Sequence, residues 1–141
     1  MRVLGVDYGR RRIGLAISDS DGIVASPLPI YIRRDARADI EHIARLAREK
    51  EVGTIVIGLP LNLDGSRGEM AEEVAAFAAR LGTRARIPVA TFDERLTTAE
   101  AERVLLQADI SRKRRKKVRD SLAAVLILQG YLEHLRGVNH D

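Results

Sequence analysis

Cysteine is absent from this chain. A disulfide framework and a thiolate metal site are therefore both excluded, a composition that suits the cytoplasm. Long hydrophobic runs are missing too. The longest, Leu122 to Leu128, falls far short of the ~20 apolar residues that a membrane span requires, so a soluble protein is expected. The first predicted strand begins at Arg2, which leaves no room for a charged segment and an apolar segment of the secretory kind. Histidines 42, 134 and 140 are scattered over two predicted helices and the tail, and we assign them no role. What remains is ample for one core. With 141 residues, of which 45% are hydrophobic, the chain is long enough for one domain and too short for two, so a single domain over 1–141 is expected.

The net charge of +4 conceals a strong asymmetry. Seven of the eight residues from Arg112 to Arg119 are basic, which leaves 17 basic against 20 acidic groups elsewhere. Arg114, Arg115, Lys116 and Lys117 are the centre of that block, and Arg10, Arg11 and Arg12 form a second cluster directly after Gly9. Concentrated positive charge attracts polyanions, and nucleic acid is the natural partner. The plainer reading of such a run is a solvated loop.

Alternating and helical periodicities order the elements. Strands are predicted at 2–8, 12–18 and 23–32, joined by turns short enough to make them antiparallel neighbours. A helix follows from Ala36 to Lys50, with Asp35 as N-cap and Gly53 as its stop. Thr54 to Gly58 reads as a buried strand, Glu69 to Leu81 as a helix closed by Gly82, and Ile87 to Glu94 as another strand. Thr97 and Glu100 have the spacing of a capping box for a helix to Gln107. A last helix starts near Lys116 or Lys117, and Asp120 opens its apolar part from Ser121 to Leu135. Right-handed crossovers place the first, fourth and fifth strands side by side in parallel. The result is an α/β protein with a five-stranded mixed sheet flanked by helices, the element order of the ribonuclease H-like fold.

In that arrangement three carboxylate positions converge. Asp7 ends the first strand, Asp93 and Glu94 end the fifth, and Asp120 lies on the helix that covers them. The carboxyl edge of parallel strands is where open α/β sheets bind ligands, and clustered carboxylates are what metal-assisted phosphodiester chemistry needs. Each residue also has a plainer role: Asp7 shaping a turn before Gly9, Asp93–Glu94 as a solvated strand end, Asp120 paired with a neighbouring cation. Asp93 and Glu94 alternate across the strand, so only one of them faces the cluster.

Four strings in one order, Val6-Asp-Tyr-Gly-Arg-Arg-Arg-Ile-Gly14 with Ser18-Asp19, Ile57-Gly-Leu-Pro-Leu-Asn62, Asp93-Glu-Arg-Leu-Thr-Thr98, and Asp120 with Ala123-Ala-Val-Leu-Ile-Leu-Gln129, resemble the YqgF family of pre-16S rRNA nucleases, formerly called Holliday-junction-resolvase-like. The resemblance covers nearly the whole chain. It implies Asp7, Glu94 and Asp120 as catalytic and metal-ligating residues, with Glu94 chosen over Asp93. Mg²⁺ or Mn²⁺ fits an all-oxygen ligand set, and two such ions would stabilise the attacking and leaving oxygens of an in-line displacement. Gly9 with Arg10 to Arg12, Asn62, Arg95, Thr97, Thr98 and the 114–117 basic residues are the expected substrate contacts. Three readings follow: an endonuclease maturing 16S rRNA precursor, a resolvase of four-way DNA junctions acting as a dimer, and a non-catalytic nucleic-acid-binding factor. An ATP-binding reading of Asp7-x-Gly9 is disfavoured by length, since the two-domain nucleotide enzymes it resembles need a second copy of the pattern. Both a monomer and a homodimer remain compatible with the sequence.

Overall fold

The computed structural model describes residues 1–96 and 112–137, with side chains from Leu122 onward in the second stretch. The order is β1 (Arg2–Tyr8), β2 (Arg12–Ser18), β3 (Ala25–Ile32), α1 (Ala36–Glu49), β4 (Val52–Leu59), α2 (Glu69–Ala85), β5 (Val89–Asp93), a 3₁₀ turn (Glu94–Leu96) and α3 (Arg112–Leu135). The five strands form one sheet in the order β3-β2-β1-β4-β5. β1 is central, antiparallel to β2, where Asp7 faces Gly14, and parallel to β4, where Val6 faces Ile57. β5 joins in parallel with Gly58 opposite Phe92.

The period of two in each strand sorts side chains between two layers. Leu4, Val6, Tyr8, Ile13, Leu15, Ile55 and Ile57 meet Ile40, Ile43, Val74, Phe77 and Leu81 of α1 and α2. On the opposite face Val3, Ala16, Val56 and Phe92 meet Ala124, Ile127, Leu128 and Leu132 of α3. Ile43 and Leu81 are wholly buried, and each such side chain contributes roughly 1.5–3 kcal/mol relative to exposure.

Several boundaries differ from the sequence expectation. β3 begins at Ala25 rather than residue 23, because the backbone N–H groups of Ile23 and Val24 donate to Asp19 Oδ1 at 2.7 and 3.0 Å and belong to the turn. Gly53 does not stop α1. The left-handed residue there is Glu51, with φ 57°, and Gly53 lies inside β4 with the Met1 side chain packed against it. Gly82 likewise fails to close α2, which runs to Ala85 and ends at left-handed Arg86. Packing supplies the reason: Val89 lies 3.4 Å from where a Cβ on Gly82 would stand, so the glycine serves the approach of β5. The last helix starts at Arg112. The basic block is thus helical backbone, four or five residues of it before the expected start, and Asp120 lies inside the helix ahead of its apolar part.

Candidate active site

Asp7 belongs to the α3 side of β1, two residues beyond Gly5 and four beyond Val3, which is buried against α3. Because Val6 and Ile57 are paired, the next residues along, Asp7 and Gly58, are neighbours on strands about 4.8 Å apart. Glu94 leaves the sheet just after β5, and its carboxylate folds back over that same glycine. A Cβ on Gly58 would stand 2.7 Å from Glu94 Oε2 and 2.5 Å from Ile127 Cδ1. Gly58 is therefore the gap into which Glu94 fits beside Asp7.

Gly5 has a corresponding job towards α3. A Cβ there would lie 2.7 Å from Leu128 Cβ and 3.1 Å from the Ala124 carbonyl oxygen, so only glycine admits the helix this close. Leu132 reaches Gly22, in the turn at the other end of β1. α3 consequently runs antiparallel to β1, with its earlier residues toward the carboxyl edge. One helical turn back from Ala124 is about 5.4 Å and two strand residues on from Gly5 is about 7 Å; the backbone of Asp120 and that of Asp7 advance together to one edge. The Asp120 side chain lies outside the described residues, as do Thr97 and Thr98 and the side chains of Arg114, Arg115, Lys116 and Lys117. Among the described residues, no three His, Asp or Glu side chains group closely enough to hold a metal ion.

The two acids at the end of β5 have separate environments. Burial pushes the Glu94 carboxyl above its ordinary value, and the charge of Asp93 adds to the effect. Asp93 is held below its ordinary value by the Arg95 guanidinium, which forks onto it with Nη2–Oδ2 at 2.6 Å and Nε at 3.0 Å from both oxygens. Arg95 Nη1 donates to the carbonyls of Leu63 (3.1 Å) and Asn62 (3.4 Å). All three guanidinium nitrogens thus have intramolecular acceptors, and Arg95 ties the β4–α2 loop to the 3₁₀ turn. Asn62 is likewise engaged within its loop, donating from Nδ2 to Ser66 Oγ at 3.0 Å.

The expected arginine cluster after β1 lies on the other side of the same edge. Tyr8, adjacent to Asp7, points into the α1–α2 layer and donates to Glu73 Oε2 at 2.6 Å; burial and this carboxylate raise the phenol's pKa, and the bond holds Glu73 low. Arg10 pairs with Glu73 at 3.3 Å. Arg33 stacks 4.7 Å from the Tyr8 ring centroid, donates to the Gly9 carbonyl at 3.2 Å, and pairs with fully buried Asp39 at 2.7 Å. Together Tyr8, Arg10, Arg11, Arg33, Arg34 and Glu73 line a cavity of about 440 Å³. Sequence reasoning missed Tyr8, Arg33, Asp39 and Glu73. One signal was available: Asp39 stands on the apolar stripe of α1 with Ile43 and Ala47 at i+4 and i+8, where an acid must have a partner.

The description "RuvX: Holliday junction resolvase" matches residues 1–134. A provisionally named pre-16S rRNA nuclease of Halalkalibacterium halodurans is 53% identical over 135 residues, covering 94% of this chain and 96% of that protein. One from Moorella thermoacetica is 49% identical, covering 96% of each. Among solved structures, the Thermus thermophilus RuvC in complex with Holliday junction substrate aligns at TM-score 0.57 and 14% identity over 97% of both chains. The fowlpox virus resolvase in its junction DNA complex aligns at TM-score 0.59 and 13% identity over 96% of this chain and 99% of that one. Those structural likenesses establish the ribonuclease H-like fold, and the sequence matches establish the kinship: the chain belongs to the RuvX (YqgF) family of resolvase-like nucleases.

Proposed function

We propose that this protein is a divalent-metal-dependent endonuclease that cleaves structured nucleic acid, with 16S rRNA precursor as its substrate in the cytoplasm. The observation that carries the reading is the Glu94 carboxylate seated in the Gly58 gap at the same sheet edge as Asp7. Burial opposes ionisation of Glu94, and a bound cation would reverse that opposition by favouring the charged form. Carboxylate oxygens suit Mg²⁺ or Mn²⁺. Asp7, Glu94 and Asp120 would hold the metal, which when bound supplies charge stabilisation to the attacking and leaving oxygens of an in-line displacement.

The chain's own residues provide the fixed frame. Asp7 is carried by the central strand and anchored on both sides by the β2 and β4 ladders, so its position costs little reorganisation. Arg95 neutralises Asp93, which leaves Glu94 as the acid turned toward Gly58. Arg10 to Arg12 beside Gly9 lie where a phosphodiester strand would cross the edge, and the 114–117 basic residues belong to the helix that carries Asp120. No helix among the described residues is long and apolar enough to cross a membrane.

A second reading is resolution of four-way DNA junctions, favoured by the family description and by the fold shared with junction-bound resolvases. It requires two symmetric cuts and hence a homodimer, whereas precursor RNA cleavage is open to a monomer. The discriminating experiment incubates a precursor 16S fragment and a four-way DNA junction in parallel with Mn²⁺ or with chelator, using wild type and Asp7→Asn. Metal-dependent cutting of RNA alone, lost in the variant, is the expected result. Cutting of the junction alone promotes the resolvase, and binding without cutting of either supports a non-catalytic nucleic-acid-binding factor.

A further inference from the structure

Far from the acidic edge, the C-terminal ends of α1 and α2 flank a second arginine-lined surface depression, open to solvent, of about 800 Å³. Arg48 comes from α1, Arg80 and Arg84 from α2, and Arg86 from its cap, with Ala79 and Thr83 among the remaining lining residues and, among the described residues, no carboxylate. Arg48 and Arg84 stand in the last turns of their helices, where a cation complements the helix end. That role does not extend to Arg80, a turn earlier. Arg84 spends its charge on Glu41, with Nε–Oε2 at 2.6 Å and Nη2–Oε1 at 2.9 Å. Arg48, Arg80 and Arg86 have no carboxylate partner recorded among the described residues.

The cavity at the near end of the same layer is also built from arginines. Arg10 and Arg33 are paired with Glu73 and Asp39, while exposed Arg11 and Arg34 have no carboxylate partner recorded among the described residues. Glu69, 3.9 Å from Arg10, marks the N-terminus of α2 at that edge, and the 17 residues of α2 then span about 25 Å to the second cavity. Between the two, α1 presents Arg37 and Arg45 at i−4 and i+4 from Glu41, whose charge Arg84 already offsets. Of the 24 basic residues in the chain only four are lysine, and the one whose side chain is described, Lys50, lines neither cavity. Arginine is the side chain suited to forked contact with phosphate.

We infer that the outer surface of α1 and α2 is an arginine track that docks one arm of a structured nucleic acid, entering at Arg11 and Arg34 beside the acidic edge and ending at Arg48, Arg80 and Arg86. The chemistry recognised is the phosphate backbone, and the spacing sets a length. Even at the ~3.4 Å per base pair of B-form DNA, which an A-form RNA arm does not exceed, reaching the far cavity takes an arm of at least about 7 base pairs. The direction of the arm rests on the nuclease reading; the existence of the track does not.

The test is binding, measured in chelator so that cleavage plays no part. Hairpin RNAs with arms of 5 and 12 base pairs are titrated by fluorescence anisotropy over a range of salt, with wild type, Arg80→Gln/Arg86→Gln and Arg34→Gln. Each phosphate contact contributes about 0.9 to the slope of log affinity against log salt. The double variant should therefore lose about 2 from the slope on the long arm and nothing on the short one, whereas Arg34→Gln should lose about 1 on both. Arg80→Lys/Arg86→Lys, which keeps the charge, should restore the slope and so excludes misfolding as the cause. An unchanged long-arm slope in the double variant, or an equal loss on both arms, overturns the track. Failure of the nuclease reading would instead appear as wild-type binding without metal-dependent cleavage.

Discussion

The two faces of the sheet are built on opposite plans. On the α3 side, small residues sit at the points of closest approach: Gly5, Ala16 and Ala124 let backbone approach backbone among Val3, Val56, Phe92, Ile127 and Leu128, and Gly58 leaves a gap filled by Glu94. On the α1–α2 side the strands present Leu4, Val6, Ile55 and Ile57 to bulky helical residues, and the edge is closed by the hydrogen-bonded set Tyr8, Arg33, Asp39, Glu73 and Arg10. The close-packed face holds α3 tightly against β1, and a proposed metal site on it would need its carboxylates placed to about half an ångström. Long guanidinium side chains on the other face give reach and charge, which suffices for holding a polyanion.

Breaking the polar network of the α1–α2 face should have the largest effect on stability. Asp39→Ala strands the Arg33 guanidinium in a mostly buried site, and loss of one partner of such a pair costs about 3–5 kcal/mol; urea unfolding should show a midpoint shift of that size. A shift below about 1 kcal/mol would mean that Arg33 is held by the Tyr8 ring and the Gly9 carbonyl alone. On the α3 face, Gly5→Ala forces the helix away from β1 and should cost about 1–3 kcal/mol as overpacking. It should also reduce cleavage, because α3 carries Asp120, whereas Asp39→Ala should affect activity only through the fraction folded. Equal activity losses per unit of destabilisation in both variants would erase the proposed contrast.

Gly58→Ala isolates the site from the fold. The added methyl occupies the space of Glu94 Oε2 and Ile127 Cδ1, and displacing the carboxylate proposed to hold the metal should lower cleavage by at least about tenfold, the lower range for disturbing groups that support a metal site. Single-turnover rates at saturating protein would read it.

The smallest effect is a pH dependence. Because Glu94 is raised in the fold, its neutral form is favoured there, so its contribution to stability is present below the ordinary glutamate value of 4.5 and is lost as pH rises through the raised value. In chelator, the melting temperature of wild type relative to Glu94→Gln should fall across that window, and parallel profiles would remove the burial argument for Glu94.

Much of the α1–α2 face was legible because its signals are local. The stripe Ile40, Ile43, Ala44 and Ala47 and the Asp35 cap define α1 with an error of one residue, and Asp35 Oδ1 does accept the Ala38 N–H at 2.8 Å. Gly53 and Gly82 misled because glycine is a stop signal in a chain read locally, and here both serve packing from distant residues, Met1 and Val89. The start of α3 was misplaced for a related reason. Seven cations in eight residues read as a solvated loop, yet arginine and lysine are good helix formers.

Composition and periodicity by themselves determined the class of fold, the strand order and the candidacy of Asp7, the Asp93–Glu94 pair and Asp120, because alternation depends on residues near one another in the chain; the choice of Glu94 over Asp93 came from the family resemblance. Which groups engage one another was decided only by the tertiary structure. Arg95 is joined to Asp93 and to the Asn62–Leu63 carbonyls, Arg33 to a buried aspartate, and Glu94 to the space left by a glycine 36 residues earlier. Such pairings depend on where separate elements come to rest, and on how much water is left between them when they do.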